Sequence, residues 1–256
     1  MPAELVVATL NLFNNRHGRW ADREPLVAGQ ARELDADVFT FQEVDLRSDQ
    51  VDRLAALLGD DYQVVTRGGT APGTSKALAV VTRLAVRATA ECTDLGHGDV
   101  ALAVELDAGA ATVWVATTHL LFSPSPGGSA RRHGQAERLL AWLGALHPLV
   151  LAGDFNATDD GEAIALLKGT LRSAFEVAHG HEPDRTHPTP LLEAVDTRAA
   201  FGDPKLPDGG AAVDFVFVTD DVDVVACDLA FDRPAPTEAS LYPSDHFGLV
   251  ARLRVA

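Results

Sequence analysis

The stretch "LVLAGDFNATDD", residues 149–160, runs from core-type aliphatic residues straight into Gly-Asp-Phe-Asn. Leu149, Val150, Leu151 and Ala152 read as a strand inside a sheet, since a short continuous apolar run bounded by turn residues suits a strand covered on both faces. Asp154 and Asn156 stand two apart, so in extended backbone their side chains point the same way and Phe155 faces the opposite side. Gly153 permits a close approach at that point. A carboxylate and a carboxamide together at a strand end can bind a cation or orient a water. Asp and Asn are also common turn residues, because they hydrogen-bond locally to the backbone. The stretch by itself leaves both readings open.

Working outward, strand-like segments recur at residues 5–10, 38–42, 62–67, 78–81, 101–106, 112–118, 213–218, 222–227 and 249–255. Helical patterns are fewer. Ser48 can cap a helix whose apolar positions Val51, Leu54, Ala55 and Leu58 follow the i, i+3, i+4, i+7 spacing. Ser129 can cap another, with Leu139, Leu140, Leu143 and Leu146 facing inward. Residues 24–34 and 160–167 supply two more. Several strands follow one another with no helix between them, which argues against a doubly wound parallel sheet. The pattern predicts two mostly antiparallel sheets packed together with helices outside. Nothing along the chain marks a linker or a repeat, so residues 1–256 are expected to form a single domain. Residues 178–210, rich in Pro, His, Asp and Gly, read as one long surface excursion, and its His179, His181 and His187 read as loop histidines in preference to metal ligands.

Composition narrows the function. The chain has 256 residues, 46% hydrophobic, enough for a substantial core. No window approaches the roughly 20 apolar residues of a membrane span. The opening "MPAELVVATLNLF" lacks the basic region and cleavage site of a signal peptide, which predicts a cytoplasmic protein. Cys92 and Cys227 form no CxxC, which excludes a cysteine-rich zinc site and a disulfide scaffold. The net charge of −16 disfavours duplex DNA as a partner without excluding it, since nucleic-acid binding leans on basic side chains, and it leaves a small phosphoester as the favoured substrate. "GGTAPGTSK", residues 68–76, lacks the lysine placement of a phosphate-binding P-loop. There is no GxSxG and no HExxH.

Several other strands end as residues 149–156 do. "LVVATLNL" carries Asn11, "VFTFQEVD" carries Gln42 and Glu43, and "VWVATTHL" carries His119. "AAVDFVFV" begins near Asp214, and "YPSDHFGLV" sets Asp245 and His246 before the last strand. A buried carboxylate without a partner is strongly disfavoured. Glu43, Asp154, Asp214 and Asp245 at strand ends therefore suggest one shared, oxygen-rich pocket, where Mg²⁺ or Mn²⁺ relieves mutual repulsion.

In order, "TLN", "QEV", "TTHL", "GDFNA", "VDFVFV" and "SDHFGL" resemble the endonuclease/exonuclease/phosphatase (DNase I-like) superfamily, over nearly the whole chain. The resemblance implies a four-layer α/β sandwich, two β-sheets flanked by helices, and a divalent-metal-dependent phosphodiesterase. It implies that Glu43 is the principal metal ligand, with Asn11 and Asp245 close to the ion. Asp154 then activates or orients the attacking water, and Asn156 hydrogen-bonds that water or the phosphate. His246 contacts the phosphate, oriented by Asp214, and His119 is a phosphate ligand or general acid. A Mg-dependent DNA nuclease is the alternative within the family. A catalytically silent binding module would have lost a core residue, and none is lost. The chain departs from the pattern at Val213, where relatives often carry Arg, and it offers no equivalent of the Tyr that some nucleases place over the phosphate. Arg131, Arg132 and Gln135, following "THLLFSPSPGGSA", either reach the substrate mouth or solvate a helix surface, and the surface reading is favoured.

Overall fold

The computed structural model describes residues 2–14, 18–70, 77–123, 125, 127–194 and 210–255. Positions 71–76 of the glycine-rich stretch and 195–209 of the long excursion lie outside the described residues. One six-stranded sheet contains β1 (Ala3–Asn11), β2 (Val38–Val44), β3 (Gln63–Arg67), β4 (Ala77–Thr82), β11 (Val222–Ala230) and β12 (Gly248–Val255), in the order β11-β12-β1-β2-β4-β3. The other contains β5 (Ala85–Gly96), β6 (Asp99–Asp107), β7 (Thr112–His119), β8 (Leu149–Asp154), β9 (Arg172–Ser173) and β10 (Asp214–Val218), in the order β5-β6-β7-β8-β10-β9. Each sheet is mixed. β1 runs parallel to β2, and β7 to β8, while the remaining ladders are antiparallel, as the strand-rich pattern predicts.

Alternation along the strands builds the layers. Leu5 and Val7 of β1 face Val113, Val115, Val150, Ala152, Val216 and Val218 of the second sheet, forming the core between the sheets. Ala8, Leu10, Phe39 and Phe41 turn the other way, against Val27, Ala28 and Ala31 of α1 (Trp20–Leu34) and Val51 and Leu54 of α2 (Gln50–Leu58). Leu149, Leu151, Phe215 and Phe217 likewise meet Ala136, Leu139 and Leu143 of α3 (Gly128–Leu143) and Ile164 and Leu167 of α4 (Glu162–Lys168). The result is an α/β/β/α sandwich. Each fully buried Leu, Val or Phe contributes about 1.5–3 kcal/mol through removal from water.

The helix starts differ from the sequence expectation. α2 is preceded by Asp49, with no side-chain cap bond, and the Ser48 hydroxyl donates instead to Asp45 O at 3.2 Å. α3 follows Gly127 and not Ser129, and α1 begins at Trp20, a turn before residue 24. The described part of the long excursion is only partly a surface loop, with residues 178–181, 184 and 185 exposed. It begins with the end of α5 (Ala174–His179) and contains α6 (Leu191–Ala194), and Thr186, Thr189 and Leu191 are buried. Its backbone is fastened to the strands on both sides, which a stretch without apolar periodicity does not announce. Among the described residues no helix is long and apolar enough to cross a membrane.

The topology brings the polar strand ends to one edge. The parallel pairs finish there together, Asn11 beside Gln42 and His119 beside Asp154. The antiparallel neighbours begin there, Asp214 opposite Asp154 and Leu249 opposite Thr9. Parity then aims Asn11, His119, Asp154 and Asp214 into the gap between the sheets, in line with the aliphatics that precede or follow them. Gln42 bridges that gap, donating to Thr9 Oγ1 at 3.1 Å and Thr117 Oγ1 at 2.9 Å.

Gly153 pairs with Thr118 so closely that an added Cβ would lie 2.2 Å from the Thr118 carbonyl oxygen. Gly153→Ala is therefore expected to spread the central parallel ladder and cost about 1–3 kcal/mol. The check is a urea titration, read as a lower midpoint with little change in slope.

Candidate active site

Asp154 is 1% exposed and sits at the centre of the cluster. Its Oδ2 accepts from Asn11 Nδ2 at 3.0 Å, lies 3.3 Å from His119 Nε2 and 3.9 Å from His246 Nε2. Its Oδ1 accepts the backbone N–H of Asn156 at 2.8 Å, an Asx-type turn. The turn reading of Gly-Asp-Phe-Asn is thus observed, and the same carboxylate lies among Asn11, His119 and His246. Asn156 takes a left-handed φ of 48° and donates its carboxamide to Leu120 O at 2.9 Å, so it holds the segment after His119. Phe155 faces away, edge-on to Phe215 and Phe217 in the outer core.

Asp214 Oδ2 lies 2.8 Å from His246 Nδ1, and both side chains are buried. Burial alone would push His246 down. The surrounding carboxylates of Asp214, Asp154 and Asp245 outweigh it and hold the imidazole well above its ordinary pKa. Asp245 is pushed up to about 6, chiefly by burial and further by the nearby Glu43, against the opposing pull of His246 and Arg23. Glu43 is placed by an irregularity. The β2–β4 register shifts between Phe41 and Val44, and Glu43 adopts φ 55°, releasing it from the alternation that would turn it toward the helices. Its Oε2 accepts the backbone N–H of Asn14 at 3.1 Å.

The donor set suits a hard divalent cation. Glu43 and Asp245 carry carboxylates of the type such ions take, and the amide oxygen of Asn11 accepts the backbone N–H of Phe13 at 2.9 Å. Asp214 Oδ1 is buried and makes no hydrogen bond among the described residues. Among the described residues, potential ligand atoms of Asp154, Asp214 and His246 lie within 4.8 Å of one another, as do those of His187, Asp245 and His246.

Three site-building residues escape the sequence reading. Arg23, fully buried, donates to the carbonyls of Leu12, Phe13, Gly18 and Pro243, tying the loop after β1 to the loop that carries Asp245. Burial lowers its pKa to about 10, with Asp245 and Glu43 pulling the other way. Gln135, expected on the surface, is fully buried. It accepts from Leu121 N and donates to Asp99 Oδ2, fixing the segment beyond His119 from behind. Arg132, half-buried beside it, donates to Leu121 O, while Arg131 is exposed as expected. His187, expected as a loop histidine, packs its ring 4.5 Å from that of His246. Burial, and then the charge on His246, lowers its pKa to about 3. His179 rests against Phe175 and Cys227 O, remote in sequence contacts from the cluster, and His181 is exposed. Only the i, i+3 placement of Arg132 and Gln135 after "TTHL" hints at a shared role; Arg23 and His187 carry no local signal.

The sequence profile of the Endonuclease/Exonuclease/phosphatase family matches residues 8–246. No curated protein sequence is significantly similar. Among solved structures, an endonuclease/exonuclease/phosphatase from Bacteroides vulgatus superposes with a TM-score of 0.77 at 19% identity, covering 99% of both chains. The human Nocturnin catalytic domain with bound sulfate gives 0.74 at 20% identity, over 99% of this chain and 94% of that one. Truncated Caenorhabditis elegans TDP2 gives 0.72 at 18% identity, over 98% of each. At these identities the likeness is one of fold.

Arg23→Met would keep the apolar stem and strip the donors from four backbone carbonyls. A loss on the order of 3–5 kcal/mol is expected, since each buried acceptor left unsatisfied costs about 1–3 kcal/mol. Arg23→Lys should recover part of it, and chemical denaturation of the two variants provides the comparison.

Proposed function

Because the chain belongs to the Endonuclease/Exonuclease/phosphatase family, we propose that it is a divalent-metal-dependent phosphoesterase. Its substrate in this reading is a phosphodiester on a small molecule, nucleotide or phospholipid head group. The supporting observation is the convergence, at one sheet edge, of buried Asp154, the Asp214–His246 pair and the Asp245 carboxylate.

Glu43, Asp245 and the amide oxygen of Asn11 would hold one Mg²⁺ or Mn²⁺. Bound there, the ion supplies positive charge to the phosphoryl and leaving oxygens as negative charge develops on them. Asp154 takes the proton of the attacking water as its oxygen bonds to phosphorus. The orientation is preset, because Asn11 and the Asn156 backbone already hold one oxygen each of that carboxylate. The ester P–O bond breaks, and the leaving oxygen takes a proton from His119. Asp214 keeps His246 charged and turned so that Nε2 faces the site, where it contacts a phosphoryl oxygen. Asn156, anchored on Leu120 O, positions the water or the phosphate. A net charge of −16 favours a small substrate, because it repels a long polyanion before any local contact forms.

Hydrolysis of bis-p-nitrophenyl phosphate with Mg²⁺ or Mn²⁺ tests the chemistry. Turnover is expected to stop with EDTA and to fall by about 10²–10⁴-fold in Asp154→Asn, the range for loss of a general base, with an unchanged far-UV spectrum. A protein that binds no divalent ion, and whose activity Asp154→Asn leaves intact, would refute the reading. Plasmid nicking at low salt, if faster than hydrolysis of small diesters, would move the substrate to DNA.

A further inference from the structure

His187 is held through its own backbone and through chain neighbours on either side. Its backbone exchanges hydrogen bonds with Ala211, His187 N donating at 3.0 Å and Ala211 N donating back at 2.7 Å. On one side, Thr186 Oγ1 accepts from the backbone N–H groups of Val213 and Asp214, while Thr186 O accepts from Phe247 N at 2.7 Å. On the other, Thr189 N donates to Asp245 O at 2.8 Å and Thr189 Oγ1 to Ser244 O at 2.6 Å. His187 is thereby clamped between the strand that carries Asp214 and the turn that carries Asp245.

Those backbone bonds would hold any side chain; the imidazole is placed more specifically. Nε2 lies 3.8 Å from Asp245 Oδ2, and potential ligand atoms of His187, Asp245 and His246 fall within 4.8 Å of one another. At 3.8 Å the two atoms are too far apart to hydrogen-bond. Two ligands on one ion at about 2.0–2.2 Å each sit about 3–3.5 Å apart, so a small contraction brings this nitrogen and oxygen to ligand spacing.

We propose that His187 is a nitrogen ligand of the metal centre, sharing the ion with Asp245, and that it biases the centre toward Mn²⁺, Co²⁺ or Zn²⁺ over Mg²⁺. The inference rests on the metal-dependent reading of the site. Mg²⁺ demands near-octahedral oxygen coordination and keeps several waters, whereas imidazole suits the borderline transition ions. An all-oxygen set from Glu43, Asp245 and Asn11 would favour Mg²⁺; one imidazole changes that preference.

The test is pulsed electron paramagnetic resonance of the full chain loaded with Mn²⁺, together with calorimetric titration by Mn²⁺ and by Mg²⁺. Wild type is expected to show ¹⁴N modulation from a directly bound imidazole. His187→Gln should lose that modulation and bind Mn²⁺ at least about tenfold more weakly, the scale on which even outer-shell partners of a ligand act, while Mg²⁺ binding changes little. His187→Phe keeps a ring in the same space without the lone pair and should behave alike, which covers misfolding of the first variant. Mn²⁺ bound without ¹⁴N modulation in wild type, or modulation that persists in folded His187 variants, overturns the inference and leaves the phosphoesterase reading standing. Failure to bind any divalent ion overturns both.

Discussion

The arrangement depends on a carboxylate, that of Asp154, buried where the two sheets meet. An isolated buried charge costs several kcal/mol, so such a group survives only among donors and opposite charges. Asn11 supplies a donor from the opposite sheet, and the backbone of Asn156 supplies another from the adjoining turn. His119 and His246 stand at 3.3 and 3.9 Å from the same oxygen. The strands that bring these groups come from both sheets, so the sandwich must close in the correct register before Asp154 is satisfied. Fold specificity and chemistry are coupled at this residue.

A second level of support keeps the irregular backbone around the site in place. Loops at the strand ends carry groups that regular ladders cannot satisfy, and buried side chains serve them instead. Arg23 collects carbonyls from two such loops while its charge faces Asp245 and Glu43. Gln135 and Asn156 do the same for the segment after His119. Thr186 fixes the entrance to β10 and the start of β12 together. Each uses a side chain distant in sequence to immobilise a loop that adjoins a strand end carrying a site residue, which gives the cluster the rigidity that positioning chemistry needs.

Much of the sandwich was legible because its strands are local objects. Continuous aliphatic runs mark β4, β8 and β10, which are covered on both faces. β5 escaped notice for a physical reason: it is an edge strand whose exposed face carries Arg87, Thr89 and Glu91 and whose inner face carries small residues, so its alternation is shallow. β9, a two-residue strand, is too short to leave a pattern. The excursion after residue 178 reads as loop because its buried residues are isolated threonines and leucines without a period. Its order comes from hydrogen bonds to distant strands.

The sequence by itself determined most of the strands, β5 and β9 excepted, and the polar residues at their ends, because side-chain direction in a strand follows from counting residues. It also determined the order of motifs that places the chain in its family. Tertiary structure alone decided which of those ends share an edge, through two parallel pairs and two antiparallel starts. It alone brought Arg23, Gln135 and His187 to the site, and it alone turned Glu43 by a local break in register. These outcomes arise from long-range hydrogen bonds and desolvation, whose energies depend on the partners that folding assembles and leave no period in the chain.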